Sequence, residues 1–103
     1  MSIAQTRGGV PRVIRESVTT TGRRYSFPFY TSYLVARNKG ANIIRMFFTE
    51  ADFTANANYV EIPVAAATDP HGEWDGPTEL QAVWLKALTA ATNLELVIFQ
   101  RRG

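Results

Sequence analysis

Four side chains capable of acid–base or metal-binding chemistry alternate within one short segment of the chain. Asp69, His71, Glu73 and Asp75 occupy every second position, and His71 is the only histidine among the 103 residues. Carboxylates beside an imidazole can bind a metal ion or form an acid–base pair. The spacing is similar to that of a loose calcium loop, but it matches no strict ligand register. The segment predicts a polar loop with solvated carboxylates and remains an alternative ligand loop.

The other residue types that carry catalysis lack the neighbours that catalysis needs. The chain contains no cysteine, which excludes a thiolate metal site, a cysteine nucleophile and a disulfide scaffold. None of its four serines stands in a Gly-x-Ser-x-Gly elbow. Gly8 and Gly9 follow no strand and precede no Lys-Ser/Thr pair, so they do not form a phosphate-binding loop. We therefore expect a protein that is not an enzyme and that uses no metal or cofactor.

Length and composition limit the architecture that positions these residues. A chain of 103 residues supports one hydrophobic core, and an apolar fraction of 46% with 19% charge excludes a disordered chain. No apolar run is longer than four residues, as at residues 64–67, which predicts no transmembrane helix. The N-terminus has no apolar block, which argues against a signal peptide.

Residues 1–11 and residues 12–103 differ in composition. Residues 1–11 mix Gly8, Gly9 and Pro11 with small polar residues, which predicts an extended N-terminal arm. Residues 12–103 contain seven or eight short β-branched and aromatic runs, separated by turn residues at a spacing of about 8–12 residues. This pattern predicts an all-β domain, an antiparallel β-sandwich that is jelly-roll-like, with an immunoglobulin-like topology as the alternative.

The runs also predict particular strands and hairpins. The strand at residues 12–20 ends at Gly22. Pro28 predicts that the second strand lies at a sheet edge or carries a bulge, and Pro63 restricts the strand at 59–64 to an edge. Asn and Gly at 38 and 40 tolerate positive φ, which predicts a hairpin over residues 33–49. A terminal hairpin is expected over 79–101, with a helix at 79–88 left open. Residues 65–77 are predicted to be a loop. Residues 50–58 could hold one helical turn, but Asn56 and Asn58 favour a loop there as well.

Charge is divided along the chain. Residues 1–45 carry eight basic residues against one acidic residue, a balance of +7, and residues 46–100 carry eight acidic residues against one basic residue, a balance of −7. Such a chain can associate with its own copies, and its nine arginines against two lysines favour protein interfaces. The alternative is that interleaved strands remove the division on folding.

Aromatic residues support two interpretations. Arg23 and Arg24 precede aromatics at 25, 27 and 29, as in a nucleic-acid stacking platform. The acidic second half opposes a phosphate backbone, and period-two aromatics are typical of a core, so a nucleic-acid partner is not expected. Trp84 is predicted to lie in the core, whereas Trp74 either folds under its loop or anchors an interface.

Several stretches together resemble small β-sandwich virion proteins of tailed phages, either of the capsid decoration or cement type or related head and tail structural subunits. They are RNKGANIIRMFF at 37–48, YVEIP at 59–63, VWL at 83–85 and VIFQRRG at 97–103. The resemblance implies a structural protein assembled in the host cytoplasm and placed on the capsid surface of the virion. It also implies the major capsid protein and copies of the chain itself, as a homotrimer, as partners, and no membrane.

Terminal arms contact the shell in such proteins. The resemblance therefore points to a capsid or oligomer interface that contains Arg7, Arg12, Trp74, Arg101 and Arg102. The competing interpretation is a carbohydrate- or receptor-binding domain of a virion fibre or tail. In that case the ligand would contact Trp74, Tyr59 and the loop residues Asp69, His71, Glu73 and Asp75.

Overall fold

The part of the chain that the structure describes forms two four-stranded antiparallel sheets and one short helix. The computed structural model describes residues 11–64 and 72–101. The strands are β1 (Arg12–Val18), β2 (Arg23–Ser26), β3 (Thr31–Asn38), β4 (Ile44–Phe47), β5 (Val60–Ile62), β6 (Glu73–Pro77), β7 (Ala82–Ala87) and β8 (Thr92–Gln100), and the helix is α1 (Glu50–Ala55).

Strand pairing is nested. The first sheet has the order β1-β8-β3-β6 and the second sheet the order β2-β7-β4-β5. The pairs β4–β5, β3–β6, β2–β7 and β1–β8 therefore enclose one another, as in a long hairpin wrapped into two sheets. Eight strands in this order form a jelly roll, and the immunoglobulin order is different. The prediction of an antiparallel, jelly-roll-like sandwich is confirmed.

The strands that lie at sheet edges agree with the positions of the prolines. The strands β2 and β5 lie at the two edges of the second sheet, and Pro28 and Pro63 come shortly after them. Proline lacks an N–H for a central strand, so the sequence prediction of edge strands is confirmed. The first strand also lies where it was expected, because β1 covers Arg12–Val18 and Gly22 follows with φ 77°.

Both predicted hairpins are wrong in their pairing, although their strands exist. The strands β3 and β4 belong to different sheets, and so do β7 and β8. Residues 33–49 and 79–101 therefore cross between the sheets instead of folding back within one. Residues 82–87 form a strand, so the helix alternative for 79–88 is also wrong.

The crossing after β3 depends on a buried asparagine. The side chain of Asn38 donates to the carbonyl oxygen of Asn42 at 2.6 Å and accepts from the backbone N–H of Gly40 at 2.9 Å. A Cβ on Gly40 would lie 1.7 Å from Oγ1 of Thr92. A glycine is therefore needed at position 40 so that the backbone can approach β8 closely. The sequence prediction explained this glycine by its tolerance of positive φ, which is the wrong reason.

Two segments predicted to be loops contain regular secondary structure, the second of them within its described residues 72–77. The helix α1 begins after Thr49, whose side chain accepts from the backbone N–H of Asp52 at 3.1 Å, and ends at Asn56 with φ 53°. Capping at both ends stabilises this short helix within the predicted loop at 50–58. Residues 73–77 of the second predicted loop form β6, the edge strand beside β3.

The core lies between the two sheets. Alternate residues of each strand point inward, and fourteen buried residues form one cluster: Val18, Tyr25, Phe27, Leu34, Ala36, Ile44, Met46, Ile62, Val83, Leu85, Ala87, Leu94, Leu96 and Ile98. Trp84 lies between two of these positions on β7 and therefore points outward, half-buried. Its predicted place in the core is wrong.

A second apolar contact lies outside the second sheet. Phe47 is fully buried although its position on β4 is opposite to that of Met46. The rings of Phe53, on α1, and Tyr59 pack edge-on against Phe47, with ring centroids 5.4 Å away in both pairs. The helix thus covers part of this outer face. Among the described residues, no helix is long and apolar enough to cross a membrane.

Candidate interaction surface

The outer face of the first sheet carries an alternating row of charges across all four strands. Arg15 on β1 pairs with Glu95 on β8, Glu95 with Arg37 on β3, and Arg37 with Glu73 on β6. Residues directly opposite in antiparallel strands point to the same face. These four side chains, here called the charge ladder, therefore follow one line in the order plus, minus, plus, minus.

Hydrogen bonds join neighbouring members of the charge ladder. Nε of Arg15 donates to Oε2 of Glu95 at 3.1 Å, and Nη1 of Arg37 donates to Oε1 of the same carboxylate at 3.4 Å. Nε of Arg37 donates to Oε1 of Glu73 at 3.0 Å. The hydrogen bond with Glu73 raises the pKa of Arg37 above its usual value, so this guanidinium stays charged.

Exposure differs strongly along the charge ladder. Glu95 is only 8% exposed and accepts from an arginine on each side. The side chains of Arg15 and Arg37 are 76% and 46% exposed. Exposed ion pairs contribute about 0–1 kcal/mol to stability, and each guanidinium has five N–H donors. Both arginines therefore retain donors that can reach a further carboxylate.

Next to the charge ladder, the same face is apolar. One row across the sheet contains Val13, Val97 and Val35 and ends at Asp75, and the following row contains Phe99, Tyr33 and Pro77. Val13 is 51% exposed, and the rings of Tyr33 and Phe99 meet edge-on with centroids 6.2 Å apart. These side chains, here called the apolar patch, are Val13, Tyr33, Val35, Pro77, Val97 and Phe99.

An apolar outer face requires an explanation in a sandwich. The exposed face of an antiparallel sheet ordinarily carries polar residues in alternation with the core. Contiguous exposed apolar side chains with a polar rim are typical of protein interaction sites. The apolar patch, bordered by the charge ladder on one side and Asp75 on another, is therefore the best candidate for an interface among the described residues.

The division of charge along the chain does not survive folding. Four of the six ion pairs among the described residues join a basic residue of the first half to an acidic residue of the second. Arg45, for example, lies 3.5 Å from Glu61 on the neighbouring strand. The +7/−7 division is therefore largely neutralised within the folded chain, as the alternative of interleaved strands predicts.

The predicted contact residues divide into two groups. Arg7 and Arg102 lie outside the described residues. Arg12 begins β1 opposite Ile98, and Arg101 follows β8, so both lie at the same end of the first sheet. Nη1 of Arg101 is 3.2 Å from Oε1 of Glu79, and its guanidinium lies 5.7 Å from the ring centroid of Tyr30.

Trp74 packs within the domain. It is half-buried on β6 and contacts the core, with its ring centroid 5.6 Å from that of Phe48. The sequence left two interpretations of Trp74, and the structure favours the one in which its ring folds back onto the domain. The location in a loop was wrong, because the residue belongs to a strand.

The alternating carboxylates are only partly described. Asp69 and His71 lie outside the described residues, Glu73 belongs to the charge ladder, and Asp75 is exposed on the same face of β6. Within residues 11–64 and 72–101, no group of three histidines, cysteines or acids could hold a metal ion.

Cations and aromatic rings also meet on other surfaces. Arg23 stacks 4.0 Å from the ring centroid of Tyr25 and also pairs with Glu16. Tyr25 is buried in the core, so this ring cannot serve a stacking platform. On the second sheet, Arg24 lies 5.7 Å from the ring of Trp84, and Arg45 lies 4.3 Å from the ring of Tyr59.

Sequence reasoning missed the charge ladder and the apolar patch. Period-two positions on β8 and β3 carry the signal, because Glu95, Val97 and Phe99 alternate with core residues, as do Tyr33, Val35 and Arg37. Only the pairing register of the four strands shows that these residues lie side by side. Comparisons of the chain with family models, curated proteins and solved structures find no match.

Proposed function

We propose that the chain is a structural protein of a tailed-phage virion that decorates the capsid surface and stabilises it as a cement protein, without catalysing a reaction. The observation that carries the proposal is the apolar patch, since a half-exposed apolar sheet face is suited to permanent contact with other proteins. Its partners are the major capsid protein and copies of the chain itself. A homotrimer is the arrangement that the resemblance implies.

The fold supports this proposal by analogy. Jelly rolls occur in viral capsid domains, and they also occur in lectins, so the fold alone does not distinguish shell binding from sugar binding. The packing of Trp74 against Phe48 favours shell binding. A tryptophan that stacks on a sugar needs a free ring face, and this ring contributes to the domain instead.

Shell contacts are assigned to the chain ends. Arg12 and Arg101 lie at one end of the first sheet, and Arg7 and Arg102 are close to them in the sequence. Arginine forms forked hydrogen bonds with carboxylates that are stronger when water is excluded. We therefore place the shell contact at this end and copy-to-copy contacts on the sheet face.

Cosedimentation tests the proposal directly. Shells assembled from the major capsid protein of the same phage are incubated with the purified chain, and bound protein and shell melting temperature are measured. We expect saturable binding and a raised melting temperature. Deletion of residues 2–10 should weaken binding and leave the melting temperature of the isolated chain nearly unchanged.

Charge reversal provides a matched pair of variants. Arg101→Glu, at the proposed shell-binding end, should weaken cosedimentation, whereas Lys86→Glu, on the second sheet, should bind as the unmodified chain does. Absence of cosedimentation together with selective binding on a glycan array would replace the proposal with the carbohydrate-binding alternative.

A further inference from the structure

We propose that the outer face of the first sheet binds the same face of a second copy about a two-fold axis parallel to the strands. This inference rests on the proposed function only for the setting on a shell. It names the surface that joins two copies, and it replaces the homotrimer that the resemblance implies with a two-fold pair. The pairing itself follows from the order of the charges and from the apolar patch.

The charge ladder is complementary to itself about one axis only. A two-fold axis along the strands, midway between β8 and β3, reverses the order of the four strands in the facing copy. Arg15 then lies over Glu73 of the second copy, and Glu95 lies over Arg37. An axis across the strands would place like charges over one another or place charges over the apolar patch. Opposite charges across an interface fix its orientation.

The same axis keeps each apolar row over itself. Phe99 lies over Tyr33 of the second copy, and Val97 lies over Val35, because β8 and β3 are the two central strands. Val13, at the edge, lies near Asp75 of the second copy. The centre of the interface is thus apolar and its border is charged, which is the usual anatomy of a protein interface.

Within each copy, the ladder's own hydrogen bonds can persist. Arg15 is 76% exposed while it contacts Glu95, and a guanidinium has five N–H donors in a planar fork. Glu73 is 30% exposed while it accepts from Arg37. The interface therefore adds contacts to groups that remain paired, and it leaves no charge of the ladder without a partner.

The area of the outer face of the first sheet determines how strongly two copies are expected to associate. Four strands spaced about 4.8 Å apart and about 25 Å long give a flat face of roughly 500 Å² in each copy. Two copies together bury about 1,000 Å² if the faces are treated as flat, without the additional area of protruding side chains. This area lies near the lower end of specific interfaces. We expect a dimer that dissociates on dilution through the micromolar range.

Sedimentation of the full chain tests the inference. The unmodified chain should change from dimer to monomer on dilution. Arg15→Glu places a carboxylate over Glu73 of the second copy, and Glu73→Arg places a guanidinium over Arg15. Each variant alone should self-associate about tenfold more weakly or worse. Mixed in equal amounts they should form a heterodimer, because both altered positions then face opposite charges.

Two further variants serve as a positive and a negative control. Val97→Lys puts a charge at the centre of the apolar patch and should give a monomer. Arg24→Glu, on the second sheet, should dimerise as the unmodified chain does. Circular dichroism on every variant separates loss of association from loss of folding.

Three outcomes would overturn the two-fold pairing. They are a monomer at every concentration, a trimer as the resemblance implies, or a mixture of Arg15→Glu and Glu73→Arg that stays monomeric while the unmodified chain dimerises. The proposed function is tested separately, because shells that still bind the monomeric Val97→Lys variant support decoration of the capsid whatever the dimer result.

Discussion

Phe48 and Trp74 pack against each other from opposite sheets, with ring centroids 5.6 Å apart and ring planes inclined by 50°. Phe48 directly follows β4 of the second sheet, and Trp74 belongs to β6 of the first. Both rings pack against the core cluster. Trp74 therefore closes one side of the sandwich, although β6 is an edge strand.

Trp74→Ala should lower the free energy of unfolding by about 3 kcal/mol, because it opens a cavity beside Phe48. Trp84→Ala is the control, since this ring lies half-buried outside the second sheet, and its loss should be smaller. Urea denaturation followed by circular dichroism measures both. Unchanged stability of Trp74→Ala, combined with weaker self-association or shell binding, would show instead that the ring anchors an interface.

Gly22 has a backbone conformation that residues with a side chain rarely adopt. Its φ is 77°, and a Cβ would lie 2.7 Å from the carbonyl oxygen of Leu85 and 2.9 Å from the ring of Phe53. Gly22→Ala should therefore destabilise the fold by about 2 kcal/mol. Gly76→Ala is the control: its Cβ would meet only the ring of Trp74, at 3.3 Å. Equal losses from the two variants in thermal denaturation would contradict this reasoning.

Thr49 caps α1, the helix that covers Phe47. Thr49→Ala removes the hydrogen bond that its side chain accepts from Asp52 and should cost about 1 kcal/mol. Thr54→Ala, an exposed change within the same helix, should be neutral or slightly stabilising because alanine favours helices. Chemical denaturation compares the two variants, and a larger loss from Thr54→Ala would exclude capping as the reason.

Stability should fall in alkaline solution through Tyr25. Burial raises the pKa of Tyr25 above its usual value of 10.0, although Arg23 opposes the shift. The unfolded chain then loses this proton at lower pH than the folded chain does, so the free energy of unfolding decreases as pH rises beyond 10.0. The hydroxyl also donates to the carbonyl oxygen of Ser17 at 3.1 Å.

Urea denaturation from about pH 9 to about pH 11 measures this effect. Tyr25→Phe should remove part of the alkaline loss while costing about 1 kcal/mol at neutral pH for the lost hydrogen bond. Tyr30→Phe, at a ring that is 52% exposed, should keep the alkaline loss because Tyr25 remains. A Tyr25→Phe profile that matches the unmodified chain would rule out this tyrosine as the cause.

Sequence patterns located the strands because alternation is a local property. Tyr25 and Phe27 alternate with polar residues, and both are buried as the period of two predicts. Strand pairing is not local. The segment after Asn38 was expected to reverse within one sheet, yet its buried hydrogen bonds hold a crossing to the other sheet. Loop length and turn residues are compatible with both outcomes.

Sequence reasoning favoured a loop over a single helical turn at residues 50–58, and it missed the candidate interface for a different reason. Six residues are too few for a helical period, although Thr49 and Asn56 are capping residues that sequence could have identified. The charge ladder needs the register of four strands that are far apart in the chain, and no single strand contains it. Arg15, Arg37 and Glu95 each look like an ordinary exposed charge until β8 brings them together.

Nested pairing also determines when the protein can fold during synthesis. The last strand, β8, lies between β1 and β3 in the first sheet, so the ribosome releases a central strand after both of its neighbours. Until residues 92–100 emerge, β1 has no partner within this sheet. The nascent chain must therefore carry unpaired strands until residues 92–100 have been synthesised. Because its closing contacts join distant positions, we expect the final step to take milliseconds to seconds.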